Sequence, residues 1–335
     1  DANSLTRSDG TVSPSRTAAS SPCSAARIVS SRVTISAIRA RGTTTTPLAP
    51  ARLSAIAGAP SDGLYVADEA SGRIVEWGPA GEERNSFGSA GTGPGQFRTV
   101  SALAAQGGQL AVLDQKMGRV QVFRLHGNGA GDGFPAPVGR LAPARSVEIP
   151  LAAEDVAARG TDLIALTAKK ILRVADLGDR PGTPVEIKGE PAWSGVRGVS
   201  GRDGGALLAE DGRGRAVAVG WDGKVSTAYG IDAKGKGRLK SVGAAAADGD
   251  GRIYVADPSA GKVSGFGPDG IPLFSAGVSD PVDVAGLPKG AAVLNGERKT
   301  LVLLDERGKT VWESTAAFVN PVSVATDLSG PQPLV

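Results

Sequence analysis

Apolar positions come in short runs that recur as pairs along the chain. LYVAD (64–68) is followed across a polar turn by RIVEW (73–77), LAVLD (110–114) by RVQVF (119–123), LLAED (207–211) by RAVAV (215–219), and IYVAD (253–257) by KVSGF (262–266). LIALT (163–167) with ILRVAD (171–176) and AAVLN (291–295) with TLVLL (300–304) are weaker copies. Runs of about five residues, rich in Val, Ile and Leu and bounded by Gly and Asp, predict strands, and each pair predicts a hairpin. Ahead of each pair stands a run of smaller residues: LSAIAG (53–58), VSALAA (100–105), EDVAA (154–158), VRGVS (196–200), VGAAAA (242–247) and PVDVAG (281–286). A Gly-containing turn and one more strand complete each unit. The repeat length of roughly 40 to 50 residues is that of a four-stranded unit that buries its faces only against its neighbours.

Residue size supports a radial arrangement. Small side chains suit a strand crowded at a central axis, and the larger Trp77, Phe123, Trp221 and Trp312 fall further out in their units. The expected fold is therefore all-β, a propeller of six four-stranded blades over residues 51–327. A seventh inner-strand copy, PVSVATD (321–327), has no strands after it. If residues 26–40 supply outer strands to it, the ring has seven blades; six is the preferred count. HGNGAGDGFPAPVGRLAPA (126–144) makes a long connection after the second hairpin, and residues 328–335 form a short tail.

Composition narrows the class. With 48 Gly, 22 Pro and few aromatics, the chain suits short strands and tight turns. No apolar run reaches the length of a membrane-spanning helix. Cys23 and His126 are the only residues of their kinds, which excludes an internal disulfide and a zinc site built from several His or Cys side chains. The formal charge of +3 is uneven: residues 1–50 hold six Arg and two Asp, a net +4, leaving −1 for the rest. That first segment is Ser/Thr-rich, contains TTTT at 43–46, and reads as a linker-like polar arm in which ARIVSSRVTISAIRA (26–40) alternates well enough for a strand. The arm is expected to dock on a partner or on its own ring, by adding a strand to a blade edge. Its removal is expected to leave the six units folded. Cysteine scarcity and a start at Asp1 suit a bacterial periplasmic or extracellular protein, with the cytoplasm as alternative.

YVAD-x4-R-I/V followed by a Gly turn and FGSAGTGPGQF (87–97) resembles the NHL-repeat family of β-propellers, over residues 51–327. The resemblance implies a propeller, usually six-bladed, that serves as a protein-binding scaffold, a sensor module, an RNA platform or, in some members, a lyase. Fold alone does not choose among these.

Two sets of polar residues are candidates for chemistry. The first is a repeated acid and base five residues apart: Asp68 with Arg73, Asp114 with Arg119, Glu210 with Arg215, and Asp257 with Lys262. Repetition in four units argues for a structural task, with the acid fixing a turn and facing the base that opens the next strand. The second set departs from the repeat. Where the family usually has Gly near the axis, the alignment puts Ala55, Ala102, Asp155, Arg197, Ala244 and Asp283, with Ser323 in the extra copy. Asp155, Arg197 and Asp283 at a crowded place need water, one another or a ligand to offset desolvation. DGDG (248–251) lacks the later ligands of a calcium loop and sits at a hairpin turn, and AKGKGRLK (233–240) reads as a solvated loop rather than a nucleic-acid site. The expected function is a non-catalytic structural or protein-interaction subunit of a larger assembly, with protein partners and no cofactor. The alternative is a metal-dependent lactonase-like or lyase-like enzyme on the axis, using Asp155, Asp283 and Asn295.

Overall fold

The computed structural model describes residues 25–26, 34–39, 42–47, 53–59, 63–68, 71–77, 83–106, 109–124, 143–148, 153–159, 162–167, 169–175, 183–202, 204–314 and 324. It is a β-propeller whose described residues contain no α-helix. Six sheets each hold four strands, hydrogen-bonded in chain order and antiparallel throughout. The fourth blade illustrates the plan, with strands Val196–Arg202, Gly205–Glu210, Arg215–Gly220 and Val225–Tyr229 from the axis outwards. The inner strands of the other five are Leu53–Ala59, Val100–Gln106, Ala153–Arg159, Ala244–Ala247 and Pro281–Gly286. Consecutive inner strands pack side by side around the axis.

Both faces of each blade are buried, which explains why the hairpin strands read as unbroken apolar runs rather than alternating ones. In LAVLD, Leu110 and Val112 join Ala57, Ile74 and Phe87 of the preceding blade, while Ala111 and Leu113 join Val156, Leu163 and Ala165 of the following one. Similar clusters fill the remaining gaps from the third blade to the sixth. A fully buried Val or Leu contributes about 1.5–3 kcal/mol, so inter-blade packing is the main source of stability. One further cluster, centred on Leu294, Leu301 and Leu303 of the sixth blade, is packed against by Trp312 and Val324.

The second and third strands of three blades are joined by one turn of 3-10 helix, at Gln115–Met117, Asp211–Arg213 and Pro258–Ala260. Each turn ends on a glycine in the left-handed region, Gly118, Gly214 or Gly261, with φ between 59° and 63°. This is the backbone reason that Gly precedes the Arg or Lys opening the third strand.

Part of residues 1–50 is described. Ala25–Ala26, Thr34–Arg39 and Gly42–Pro47 form an antiparallel three-stranded sheet, with Ile35 paired to Thr46 and Ala37 to Thr44. The TTTT run lies inside its last strand, where β-branched side chains favour extended backbone. Residues 1–24, Cys23 among them, His126 and residues 328–335 fall outside the described residues, as does the 321–327 copy apart from Val324.

Candidate functional site

In an antiparallel blade, the inner strand starts, and the second strand ends, on the same side of the ring. A polar residue closes the second strand in all six blades: Asp68, Asp114, Thr167, Glu210, Asp257 and Asn295. Asp114 accepts the backbone N–H groups of Arg98 (3.0 Å) and Thr99 (3.0 Å), and Asp257 those of Lys240 (2.9 Å), Ser241 (3.0 Å) and Ala260 (3.0 Å). Glu210 accepts from Ser194 at 3.1 Å. These side chains thus hold the connection that enters their own inner strand, a set of buried charge-assisted bonds that neutral residues would not match. In the third blade Thr167 does related work within its turn, accepting from Lys170 N–H at 2.8 Å.

The expected pairing with the base five residues later holds for Glu210 and Arg215, 2.7 Å apart, with Arg213 bonded to the same carboxylate. Elsewhere the bases go to other partners. Arg73 reaches Glu83 and Ser86 across to the outer strand, and Arg119 donates to the carbonyls of Gly93 (3.0 Å) and Gln96 (2.9 Å). No ion pair joins Lys262 to Asp257 among the described residues. Although each acid and base are cross-strand partners in register, the entering backbone competes for the carboxylate and wins in the second and fifth blades.

The polar groups of the Gly-rich segment between the first two blades are bonded within the fold. Gln121, fully buried, accepts from Gly95 N–H at 2.9 Å and donates to the Gln96 carbonyl at 2.7 Å. The Gln96 side chain accepts from Gly93 at 3.0 Å. GTGPGQF is therefore a plug locked from beneath by Gln121 and Arg119. DGDG is likewise structural: Asp248 accepts from the N–H groups of Asp250 and Arg252 and from the Tyr254 hydroxyl at 3.0 Å. Burial, and then the Asp248 charge, push the Tyr254 phenol well above its usual range.

Nearest the axis, the register moves one residue of the sequence alignment. A bulge follows the first pair of the inner strand, so Asp155 opposes Leu166, Asp283 opposes Leu294, and the equivalent residue facing Ala209 is Gly198, not Arg197. The fourth blade thus keeps the glycine. Arg197 occupies the bulge, 66% exposed, and pairs with Asp211 at 3.2 Å, so it does not neutralise the two axial carboxylates.

Asp155 and Asp283 do the same thing in different blades. Asp155 accepts from its own neighbour Val156 (2.8 Å) and from Val199 on the next inner strand (3.2 Å). Asp283 accepts from Val284 (2.8 Å) and from Val324 (2.9 Å). Asp155 is thus an inter-blade latch, and Asp283 ties its own inner strand to residue 324. Burial, partly offset by the Val199 N–H and reinforced by the Asp283 charge, pushes Asp155 up to about 6.

Sequence reasoning missed further ties between blades. Gln115 donates to the Ala153 carbonyl (3.2 Å), Asp211 accepts from Val242 N–H (2.9 Å), and Ser200 donates to the Ala245 carbonyl (2.7 Å). Gln115 and Asp211 share one repeat position, directly after the clamping acid, and that shared place is the available signal. The AKGKGRLK segment is also more ordered than a loose loop. Ile231 and Gly237 form a β-bridge, Asp232 accepts from the N–H groups of Lys234 and Lys236, and Leu239 N–H donates to the Gly214 carbonyl.

No family model matches the chain, and no curated protein sequence matches it. Solved structures do. A streptogramin B lyase superposes with a TM-score of 0.60 at 10% identity, covering 82% of this chain and 86% of that one. U3-55K gives 0.59 at 14% identity, over 84% and 86%. A 6-phosphogluconolactonase-like protein from Bacteroides uniformis gives 0.57 at 15% identity, over 88% and 94%. At such identities the likeness is one of fold.

Proposed function

We propose that this chain is an NHL-type propeller acting as a non-catalytic structural or protein-interaction subunit of a larger assembly, in a periplasmic or extracellular setting. The observation that carries this reading is the use made of the axial carboxylates. Asp155 and Asp283, the residues best placed for chemistry at the channel mouth, spend their oxygens on backbone N–H groups, those of Val156 and Val199 for the first and of Val284 and Val324 for the second. The repeated acids and the Gly-rich plug are also absorbed into blade-to-blade connections. An enzyme-like reading, a metal-dependent lactonase or lyase on the axis, draws support from one feature, the electrostatic coupling of Asp155 to Asp283.

Affinity purification of the full chain from its native source separates the two. The scaffold reading expects stoichiometric protein partners, retained by the Asp155→Asn/Asp283→Asn variant if it folds. Absence of partners, together with lactone hydrolysis or lyase turnover that needs a divalent ion and is lost in that variant, favours the enzyme.

The reading extends to the ring itself, for which we infer seven radial positions. Val324 bonds to Asp283 as Val199, one blade further on, bonds to Asp155, and Ser323 aligns with Gly198. The three strands of residues 25–47 are the described candidates for the rest of that seventh position.

A further inference from the structure

We propose that the braced hairpin at 230–240 is the anchor of a docking surface for an acidic protein segment, a deepening that rests on the interaction-subunit reading above. Four basic residues, Lys234, Lys236, Arg238 and Lys240, are exposed there, and none forms an ion pair among the described residues. The single acid within the hairpin, Asp232, has its carboxylate turned to backbone N–H groups. The Arg238 N–H closes the hairpin on the Gly230 carbonyl, and the Leu239 N–H bond to the Gly214 carbonyl seats it over the turn that follows the second strand of the fourth blade. It therefore stands on the side of the ring where inner strands begin. The corresponding turns of the second and third blades add exposed Lys116 and Lys169.

The opposite side has a different character. In its turns, Lys224 pairs with Asp222 and Arg252 with Asp248 and Asp250, and two acids, Asp305 and Glu306, stand beside two bases, Arg307 and Lys309. Among the described residues, four bases without an ion pair are thus gathered in one hairpin although residues beyond the first fifty carry a net −1. A braced hairpin backbone needs no ordering of its own when its cationic side chains meet carboxylates, and their field steers an acidic partner towards this side.

A polypeptide fits the surface better than a nucleic acid. The exposed large apolar residues, Val185, Val225, Ile271, Leu273 and Val311, are aliphatic and sit on or beside outer strands, so they offer bases no stacking platform here. Exposed Glu154, Asp280 and Glu297 share this side and repel a continuous phosphate backbone, whereas a protein segment places its own charges around them.

The test uses the full chain and fluorescence anisotropy, with a labelled 16-residue Glu/Ser peptide, a 20-nucleotide oligo-dT and phosphatidylserine vesicles as separate probes. Lys234→Glu/Lys236→Glu/Lys240→Glu is compared with Lys289→Glu/Arg307→Glu/Lys309→Glu on the opposite side, each checked for an unchanged melt. Peptide binding that falls at least about tenfold in the first triple, stays within about twofold in the second, and weakens with salt supports the proposal. Equal losses in both triples, no peptide binding by the parent chain, or tighter binding of oligo-dT or vesicles that depends on the same lysines overturns it. Native partners retained by the hairpin triple sink this surface but leave the scaffold reading standing. Peptide binding by a chain that brings no native partner sinks the scaffold reading.

Discussion

At the scale of single residues, the polar side chains of this ring act mainly on backbone. Asp155 shows what that costs. Its folded-state pKa of about 6 lies above the ordinary carboxylate value of 3.8, so the folded chain takes up its proton more readily than the unfolded one. The penalty for ionised Asp155 is therefore present above about pH 6 and fades as pH falls towards 3.8. At about 1.4 kcal/mol per pH unit it is on the order of 2–3 kcal/mol. Urea melts of the parent chain should gain stability between pH 7.5 and 5.5 by an increment that Asp155→Asn lacks; identical pH dependence in both chains removes Asp155 as its source. Asp257→Ala leaves three backbone N–H groups without their acceptor and should cost about 3 kcal/mol, whereas Lys262→Ala should stay within about 0.5 kcal/mol. Comparable losses from the two substitutions would restore the acid–base pair as the structural unit.

Among elements, the hairpins were legible because each strand is buried on both faces and its apolar run stands out from the Gly/Asp turns around it. The clamping position was legible too, as repetition alone marks a structural residue, but its partner was not. Sequence spacing puts Asp114 and Arg119 opposite each other, and only the folded path of residues 98–99 reveals that backbone N–H groups take the carboxylate. Arg197 was misplaced for a related reason: a bulge shifts pairing by one residue without leaving a trace in composition. Gln121 went unnoticed because a single amide inside an apolar strand carries no pattern. Its replacement by Leu should cost about 2 kcal/mol, since Gly95 N–H and the Gln96 carbonyl lose their partners in a dry place. Hydrogen exchange should then speed up first in residues 88–97. Uniform acceleration across the first two blades would mean that the plug is not an independent element.

For the whole molecule, two observations bear on how the ring closes. The apolar cluster of Leu294, Leu301 and Leu303 has Val324 against it, while the facing side of the same blade is filled from the fifth. The sheet of residues 25–47 has three strands, one fewer than each of the six blades. If residues 1–50 complete a seventh blade, removing them strips the cover from one side of that blade and exposes apolar surface on the sixth. A chain of residues 51–335 should then melt at least 10 °C below the full chain, with Trp312 fluorescence shifted towards that of exposed indole. Val324→Asp in the full chain should produce the same shift by a separate route, placing a second carboxylate beside Asp283 and charge against the cluster. A truncated chain that melts within about 2 °C of the parent, with Trp312 unchanged, would return the ring to six self-sufficient blades. Residues 1–50 would then remain available as the docking segment that their arginines and alternating strand suggest.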